Sequence, residues 1–225
     1  MNRRHPAPGL TAGAAPERGR RVRRPSGDDR ESAILATAER LLAERPVADI
    51  SIDDLARGAG ISRPTFYFYF ESKEAVVLAL LDRVGAEARA LRGRALEEVG
   101  EDPAAIWRRG VASIVDTFRS HRALMLAVGQ LAAESDEVRR VWGDIIEGFV
   151  EDTVLAIESE RRRGAALPGP DARLLAVALN WMNERVLHAA MSGQHPSVHE
   201  NDALGVLLTV WSRAVYGDDS LGSGR

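Results

Sequence analysis

The chain has no cysteine among its 225 residues, which excludes disulfides, thiol catalysis and cysteine-ligated zinc sites. It also lacks long apolar stretches. A charge-free stretch such as residues 123–133 is 11 residues long, whereas a membrane-spanning helix needs about 20. No apolar segment follows the charged N-terminal residues, so no signal peptide is expected. These absences favour a soluble, cytoplasmic protein with no membrane contact.

Aromatic residues and lysine are both scarce, and they occur together. Phe, Tyr and Trp make up 5% of the chain, yet residues 66–70 are five consecutive aromatics. Lys73, the only lysine, follows closely. A helix buries only one face, so some of these rings must point to solvent. Exposed hydroxyls and cations beside such rings suit the phosphate backbone of a nucleic acid.

Lys73 has two explanations. All the other basic residues are arginine, so a single lysine is compatible with compositional bias. Ser72, however, is a good N-cap and would place the Lys73 cation in the first turn of a helix, where the helix dipole disfavours it. A bound phosphate would remove that conflict, since helix N-termini bind phosphates readily. We favour the phosphate interpretation.

Apolar residues recur at helical spacing through most of the chain, with no alternating strand pattern, and indicate an all-α fold. The first helix is expected over 28–44. Two short helices follow, capped by Ser51 and Ser62 and separated by Gly60, a good left-handed C-terminal residue. A longer helix comes next. Later helices are expected over 102–119, 122–133, 136–162, 171–192 and 198–216, the last opened by a capping box at Ser197–Glu200.

Charge is distributed unevenly along the chain. Residues 1–30 hold eight arginines against three acids, whereas residues 76–225 hold seventeen basic and twenty-two acidic groups. This asymmetry fits a DNA contact confined to the N-terminal end. A merely solvated tail is the alternative for the first 25 residues. Residues 1–27, rich in Pro, Gly, Ala and Arg, are predicted to be a disordered basic arm, and 217–225 a flexible tail.

Two short helices joined by a glycine turn are typical of a helix-turn-helix, and polar residues open the second helix. Arg63 can pair with a guanine edge, and Thr65 can bond a base or a phosphate. Tyr67 and Tyr69 can donate to phosphates. Phe66 and Phe70, four residues apart, are expected in the core. Phe68 could contact thymine methyl groups or simply lie on the rim.

The motifs Gly60-Ile61-Ser62, Thr65-Phe66-Tyr67, Tyr69-Phe70 and Ser72-Lys73-Glu74 resemble the N-terminal signature of the TetR family of bacterial repressors. The resemblance implies a nine-helix, two-domain subunit. A DNA-binding domain would occupy 28–75, and a ligand-binding and dimerisation domain 76–216. It also implies DNA contacts at matching positions: Ser51, Ser62, Arg63, Thr65, Tyr67, Tyr69 and Lys73.

The same resemblance implies partners and a mode of action. Members of this family bind operator DNA as homodimers, here paired through the last two helices, and release it when a small molecule enters the C-terminal domain. The ligand expected here is apolar or amphipathic. One branch of the family further suggests that a neighbouring monooxygenase gene is controlled. No cofactor is implied.

All four tryptophans lie in the C-terminal body. Taken singly each is more often core, but three of them fall on apolar stripes and together suit an elongated apolar pocket. Asn180 and Asn183 need partners if buried, either a ligand or an interhelical polar network. The resemblance favours ligand contact for this set: Trp107, Gly110, Ile114, Phe118, Trp142, Phe149, Asn180, Asn183 and Trp211.

A competing interpretation is a helical enzyme or a lipid or small-molecule carrier that uses Asn180, Glu184 and His188, which recur at steps of four. Neither a nucleophile–base pair nor a phosphate-binding loop supports catalysis. Glu184 and His188 lack a third metal ligand. We therefore assign no catalytic residue, metal site or cofactor, and predict a dimeric, ligand-released transcriptional repressor.

Overall fold

The computed structural model describes residues 27–98 and 103–217. Apart from Gly27 and Gly217, the predicted arm and tail lie outside the described residues. Within those residues the protein is all-α, as predicted, with nine helices, a 3-10 turn over Val47–Asp49 and no strand. The helices are α1 (Gly27–Glu44), α2 (Ile52–Gly58), α3 (Arg63–Tyr69), α4 (Lys73–Glu98), α5 (Pro103–Ser120), α6 (Arg122–Glu134), α7 (Asp136–Arg162), α8 (Ala172–Ser192) and α9 (Ala203–Val215).

Local capping signals determine where the short helices begin. The Oγ of Ser51 accepts a hydrogen bond from the Asp54 amide at 3.1 Å, and the Asp54 carboxylate accepts one from the Ser51 amide. This reciprocal capping box opens α2. Ser62 caps α3 by accepting from the Thr65 amide at 3.3 Å. Gly60, between the two helices, has φ +69°, where a side chain would be strained.

One boundary prediction is wrong. The capping box expected at Ser197 and Glu200 does not form, and α9 begins at Ala203. Glu200 instead accepts hydrogen bonds from the α5–α6 junction, from Arg119 to its carbonyl at 2.9 Å and from Arg122 to its carboxylate at 3.1 Å. These contacts, between residues far apart in sequence, hold residue 200 in a turn and override the local helix-start signal.

The core is continuous from the N-terminal helices into the body, and α4 connects the two. Val76 and Leu80 of α4 are fully buried in the same cluster as Ile34 of α1 and Phe66 of α3. Arg83 of α4 also forms a 2.6 Å salt bridge with Glu39 of α1. Helix α4 is therefore packed and ion-paired with the N-terminal helices.

In the body, α7 packs between α6 and α8, and α9 packs on α5 and α8. The ends of α7 and α9 are joined by a buried carboxylate. Glu160 accepts a 2.7 Å hydrogen bond from the Tyr216 hydroxyl and pairs with Arg163. Burial is the main reason why the pKa of Tyr216 is raised, so this hydroxyl stays a donor. None of the described helices is both long and apolar enough to cross a bilayer.

Candidate functional site

Helix α3 turns one aromatic face inward and another toward solvent. Phe66 and Phe70 are buried, which confirms their assignment to the core. On the opposite side, the ring of Phe68 is 83% exposed and that of Tyr67 45% exposed, while Tyr69 is half-buried. The hydroxyl-bearing rings are thus not sealed inside the subunit. The exposed face of α3 is free to meet a partner.

Arg63 is held on this face by two neighbours. Its guanidinium lies 3.3 Å from a carboxylate oxygen of Asp53 in α2 and donates to the Tyr67 hydroxyl at 3.3 Å. The hydrogen bond with Tyr67, followed by the charge of Asp53, raises the pKa of Arg63 above its ordinary value. The sequence did not lead us to predict Asp53 as the partner of Arg63, although its position at the start of α2 places it beside the start of α3.

The hydroxyls of Ser51, Ser62 and Thr65 are engaged within the motif. Ser51 donates to the Asp54 carboxylate at 2.7 Å, and this hydrogen bond is the main reason why the pKa of Asp54 is lowered. The Oγ atoms of Ser62 and Thr65 lie 2.8 Å apart and share a hydrogen bond. Each hydroxyl thus helps to fix a helix start. Ser51 and Ser62 are exposed, and Thr65 is half-buried.

Lys73 is the first residue of α4, and Ser72 caps that helix by accepting from the Ala75 amide at 3.1 Å. The Lys73 ammonium donates to the backbone carbonyl of Val47 at 3.0 Å. This carbonyl accounts for the cation at the helix N-terminus without a phosphate. The contact joins α4 to the 3-10 turn that precedes α2, and the ammonium retains two further donors.

A cavity of ≈150 Å³ lies in the body, enclosed by α4 to α9. Eight of the nine residues predicted to contact a ligand line it: Trp107, Gly110, Ile114, Phe118, Trp142, Phe149, Asn180 and Trp211. Two aromatic pairs shape its wall. The Trp107 and Trp211 ring centroids are 5.3 Å apart, and the Phe118 and Trp142 rings meet edge to face at 6.4 Å.

Asn180 is the one amide side chain among the described residues that line this mainly apolar wall. Asn180 is buried, and its Nδ2 donates to Thr153 Oγ1 at 3.1 Å and to the Ala176 carbonyl at 2.9 Å. Both donors of the amide are therefore used. Its Oδ1 accepts no hydrogen bond within the described residues. The side chain can thus accept a hydrogen bond from a molecule inside the cavity.

Asn183 differs from the rest of the predicted set because it does not line the cavity. Its Oδ1 accepts a 2.9 Å hydrogen bond from the indole of Trp211, and the pair is buried. Asn183 therefore supports the cavity wall from behind. The fourth tryptophan, Trp181, is 44% exposed and points away from the cavity wall.

Several residues that line the cavity were not predicted as ligand contacts from the sequence. Thr153 and Ile145 lie one turn on either side of Phe149 on α7, so the helical spacing could have revealed them. By contrast, no local pattern in the sequence indicated that α4 contributes to the cavity wall. Its residues Leu81, Val84 and Gly85 line the cavity three to four turns after α3 ends. Helix α4, which contributes part of the cavity wall, is thus also the helix that directly follows the exposed aromatics of α3.

The remaining residues that line the cavity are Arg109, Val111, Ser113, Thr117, Met125, Asp152 and Ala156.

The row of polar residues on α8 does not converge on one site. Asn180 lines the cavity, whereas Glu184 and His188 do not. Desolvation raises the pKa of Glu184 and lowers that of His188, which favours the neutral form of each. Within the described ranges, no three His, Asp or Glu side chains are arranged to hold a metal ion.

Comparison with known proteins shows which family has this architecture. A model of the bacterial regulatory proteins of the tetR family matches residues 34–80, and a model of the C-terminal domain of the transcriptional regulator EthR matches residues 107–217. The chain belongs to the TetR family of transcriptional regulators, in agreement with the sequence motifs.

Within that family the chain is similar to the HTH-type transcriptional regulator EthR. It is 51% identical to the Mycobacterium tuberculosis protein over 207 residues, which cover 90% of this chain and 94% of the relative. Identity to the Mycolicibacterium smegmatis protein is 44% over 206 residues, with coverage of 92% and 95%. The protein is accordingly a helix-turn-helix regulator of the EthR type.

Solved structures show the same fold at low sequence identity. A TetR transcription regulator from Haloarcula marismortui superposes with a TM-score of 0.69 at 17% identity, covering 85% of this chain and 98% of its own. NalD, the secondary repressor of the MexAB-OprM multidrug efflux pump in Pseudomonas aeruginosa, gives a TM-score of 0.67 at 19% identity, with coverage of 85% and 98%.

The ion pair on the exposed face of α3 generates a prediction. Asp53→Asn should tighten DNA binding about threefold or more, because the substitution removes a carboxylate that repels phosphate and releases Arg63 from its partner. The gain should shrink as the salt concentration rises, because salt screens the repulsion between the Asp53 carboxylate and the phosphates. Fluorescence anisotropy across a salt series measures both quantities.

The matched control is Asp144→Asn in α7, an exposed carboxylate that also faces an arginine, Arg140, at 4.0 Å. It removes the same charge away from α3 and should leave DNA affinity unchanged. Equal effects of the two substitutions would attribute the gain to net charge and contradict the local explanation.

Proposed function

We propose that this regulator binds operator DNA through the exposed face of α3 and the caps beside it, using Ser51, Ser62, Arg63, Thr65, Tyr67, Tyr69 and Lys73. The outward orientation of Tyr67 carries the proposal, since a ring sealed in the core could not reach DNA. In this assignment Arg63 reads a guanine edge. The tyrosines bond phosphates and fix the register of the helix on the duplex. The domain so defined spans residues 28–75.

The cavity is proposed as the effector site of the second domain, residues 76–216. Its aromatic wall suits an apolar body, and the free Oδ1 of Asn180 suits one hydrogen-bond donor on the ligand. The cavity measures ≈150 Å³, whereas sites for drug-sized ligands span about 300–1,000 Å³. A ligand of ordinary size therefore has to enlarge the cavity. Asn183 acts on the ligand through Trp211, whose indole it holds.

Enlargement would displace α4, because Leu81, Val84 and Gly85 form part of the wall. The displacement would reach α3 through the shared core and through the salt bridge between Arg83 and Glu39. Two recognition helices must sit about 34 Å apart to enter successive major grooves. A ligand that binds better to the displaced arrangement therefore lowers DNA affinity.

The homodimer is proposed to form through α8 and α9. Each helix leaves apolar side chains on its outer surface: Leu174 and Trp181 on α8, and Val206 and Val210 on α9. Since α8 and α9 pack together, these four residues can form one face. Burying such a face against its twofold copy would remove it from water and fix the separation of the two α3 helices.

The proposed setting is the cytoplasm, with no membrane association and no enzymatic activity, and the regulated gene is proposed to be a neighbouring monooxygenase. A gel shift with DNA upstream of the regulator's own gene tests the assignment directly. Sequence-specific retention supports it. Lack of retention at low salt, combined with turnover of an ester or ketone, would favour an enzyme instead.

A first prediction concerns Tyr67. Tyr67→Phe keeps the ring but removes the hydroxyl, and should weaken operator binding about tenfold or more, because a hydrogen bond to a charged group is worth about 1.5–3 kcal/mol. Tyr67→Ala should weaken binding at least as much. The melting temperature and the dimer should be unchanged in both variants. An unfolded Tyr67→Ala protein would mean that the ring is structural.

A second prediction concerns the cavity. Replacing Ala156, which lines it, by Val and then Leu should fill the space stepwise. If an occupied cavity disfavours the DNA-binding arrangement, DNA affinity without ligand should fall severalfold along the series. Ala133→Leu, at an exposed position on α6, is the control and should leave affinity unchanged. A fully folded Ala156→Leu variant with unaltered DNA binding would contradict the coupling.

A third prediction concerns the dimer. Val206→Glu places a charge in the proposed α8–α9 face and should convert the protein to a monomer, with loss of operator binding. Leu155→Glu makes the same change at an exposed position of α7 and should remain dimeric. Mass from light scattering after size exclusion distinguishes the two. A dimeric Val206→Glu protein would place the interface elsewhere.

A further inference from the structure

The guanidinium of Arg63 is oriented by groups of the protein itself. Its Nη1 lies 3.3 and 3.5 Å from the two carboxylate oxygens of Asp53, and its Nη2 donates to the Tyr67 hydroxyl at 3.3 Å. Its central carbon is 5.8 Å from the centroid of the Tyr67 ring. The side chain is thus held between α2 and an exposed ring of α3. Less rotamer freedom then has to be lost when it binds DNA.

Both sides of this arrangement rest on fixed helix starts. Asp53 is the second residue of α2, whose start is held by the capping box of Ser51. Arg63 is the first residue of α3 and is followed by a proline, which restricts the backbone of the first turn. The turn between the helices is closed by a 3.0 Å hydrogen bond from the Ile61 amide to the Ala56 carbonyl. The separation of Asp53 and Arg63 is therefore set by the backbone.

This orientation leaves one edge of the guanidinium for another partner. An arginine has five N–H donors in a planar fork. The contacts with Asp53 and Tyr67 involve the terminal nitrogens Nη1 and Nη2, and neither involves Nε. Nε–H and the second N–H of Nη2 lie on the same edge. Two parallel donors of this kind match the O6 and N7 acceptors of guanine, and the side chain that carries them is exposed.

The fold itself makes little use of the Asp53 carboxylate. The capping box of α2 is closed by the neighbouring Asp54. The ion pair between Asp53 and Arg63 is exposed on both sides, and such pairs contribute little to the free energy of unfolding. The carboxylate also repels phosphates. It therefore lowers the affinity of this surface for DNA of any sequence.

That repulsion acts unequally on the two kinds of DNA group that Arg63 can bind. Phosphates are anions and occur along every duplex, so an arginine that pairs with them carries no sequence information. Guanine O6 and N7 are neutral acceptors, present only at G·C pairs. A carboxylate beside the guanidinium disfavours the phosphate partner more than the guanine. Specificity gains from an element that disfavours the wrong partner.

We propose that Asp53 is a positioning residue for sequence recognition, which directs the Nε edge of Arg63 to a guanine and keeps this side chain off the phosphate backbone. The proposal rests on operator binding through α3 as assigned above. Removal of the carboxylate should raise the affinity for DNA in general but lower the discrimination between sequences. A purely structural role of Asp53 would not separate the two quantities.

The test compares full-length wild-type protein with Asp53→Asn, Asp53→Ser and Arg63→Ala. Asp53→Ser removes the partner of Arg63 but keeps a residue that suits a helix start, so it remains informative if Asp53→Asn is destabilised. The control is Glu71→Gln. Glu71 is exposed and lies beyond the end of α3 opposite to Arg63, so this substitution removes the same charge near the proposed DNA surface and leaves the Arg63 contacts in place.

Affinity is measured by fluorescence anisotropy with three DNAs. These are the fragment upstream of the regulator's own gene, a duplex of unrelated sequence, and the upstream fragment synthesised with 7-deazaguanine, which lacks the N7 acceptor. The first two DNAs give the discrimination between sequences. The third shows how much of the affinity depends on guanine N7.

Both Asp53 variants should bind the unrelated duplex with a larger gain than the upstream fragment, so the ratio of the two affinities should fall at least about threefold. Glu71→Gln should change both affinities by the same factor. The 7-deazaguanine fragment should bind wild-type protein and Glu71→Gln about threefold or more weakly than the natural fragment. The Asp53 variants and Arg63→Ala should lose clearly less. Melting temperatures should remain close to that of wild type.

Three outcomes would overturn the proposal. The first is that the Asp53 variants keep the wild-type affinity ratio and the wild-type response to 7-deazaguanine. The second is an equal fall of the ratio in Glu71→Gln, which would assign the effect to net charge. The third is an equal response of wild type and Arg63→Ala to 7-deazaguanine, which would mean that Arg63 reads no guanine although operator binding stands. Wild-type protein without preference for the upstream fragment would instead refute the operator assignment itself.

Discussion

The structure depends on α4 belonging to two environments at once. Its first turn is fixed to the DNA-binding domain, where Lys73 bonds the Val47 carbonyl and Val76 is buried in the same core cluster as Phe66 of α3. Two to three turns later, Val84 and Gly85 line the cavity of the body. A helix is stiff over such a length, because every residue is tied to the next turn by a backbone hydrogen bond. One continuous helix thus joins the cavity wall to the residues next to α3.

The charged side chains around α3 have a structural role. Carboxylates near α3 cap helices and orient arginines: Asp54 closes the capping box of α2, and Asp53 holds Arg63. These contacts fix the start of α2 and the position of the Arg63 guanidinium, and they place negative charge beside the proposed DNA surface.

Local interactions made much of this predictable from sequence. Caps such as Ser51 and Ser62 act within three residues, and the inward orientation of Phe66 and Phe70 follows from helical spacing. Trp107, Trp142 and Trp211, each on the apolar stripe of a different helix, likewise indicate a cavity. For the caps and for Phe66 and Phe70 the decisive partner lies within one or two turns, so the pattern is visible in the chain itself.

The features that escaped prediction depend on residues distant in sequence. Glu200 is captured by Arg119 and Arg122, about eighty residues earlier, and α9 starts late as a result. Lys73 finds its carbonyl 26 residues back, and Asn183 bonds Trp211 28 residues on. Neither partner is marked by any local periodicity. The share of α4 in the cavity wall is another such case, since its apolar spacing is equally compatible with ordinary core.

The size of the cavity bears on how a ligand could release DNA. Empty apolar space costs about 24 cal/mol per Å³, so filling ≈150 Å³ would recover about 3–4 kcal/mol per subunit. Reversing a two-state equilibrium from 99:1 to 1:99 takes about 5.5 kcal/mol. One filled cavity falls short of this, whereas two in a dimer reach about 7 kcal/mol. That sum applies only if the displaced arrangement accommodates the ligand and the DNA-binding one does not. If the proposed effector site acts through the filling of this space alone, both subunits have to be occupied, and the steepness of the response to ligand would come from their coupling through a shared operator.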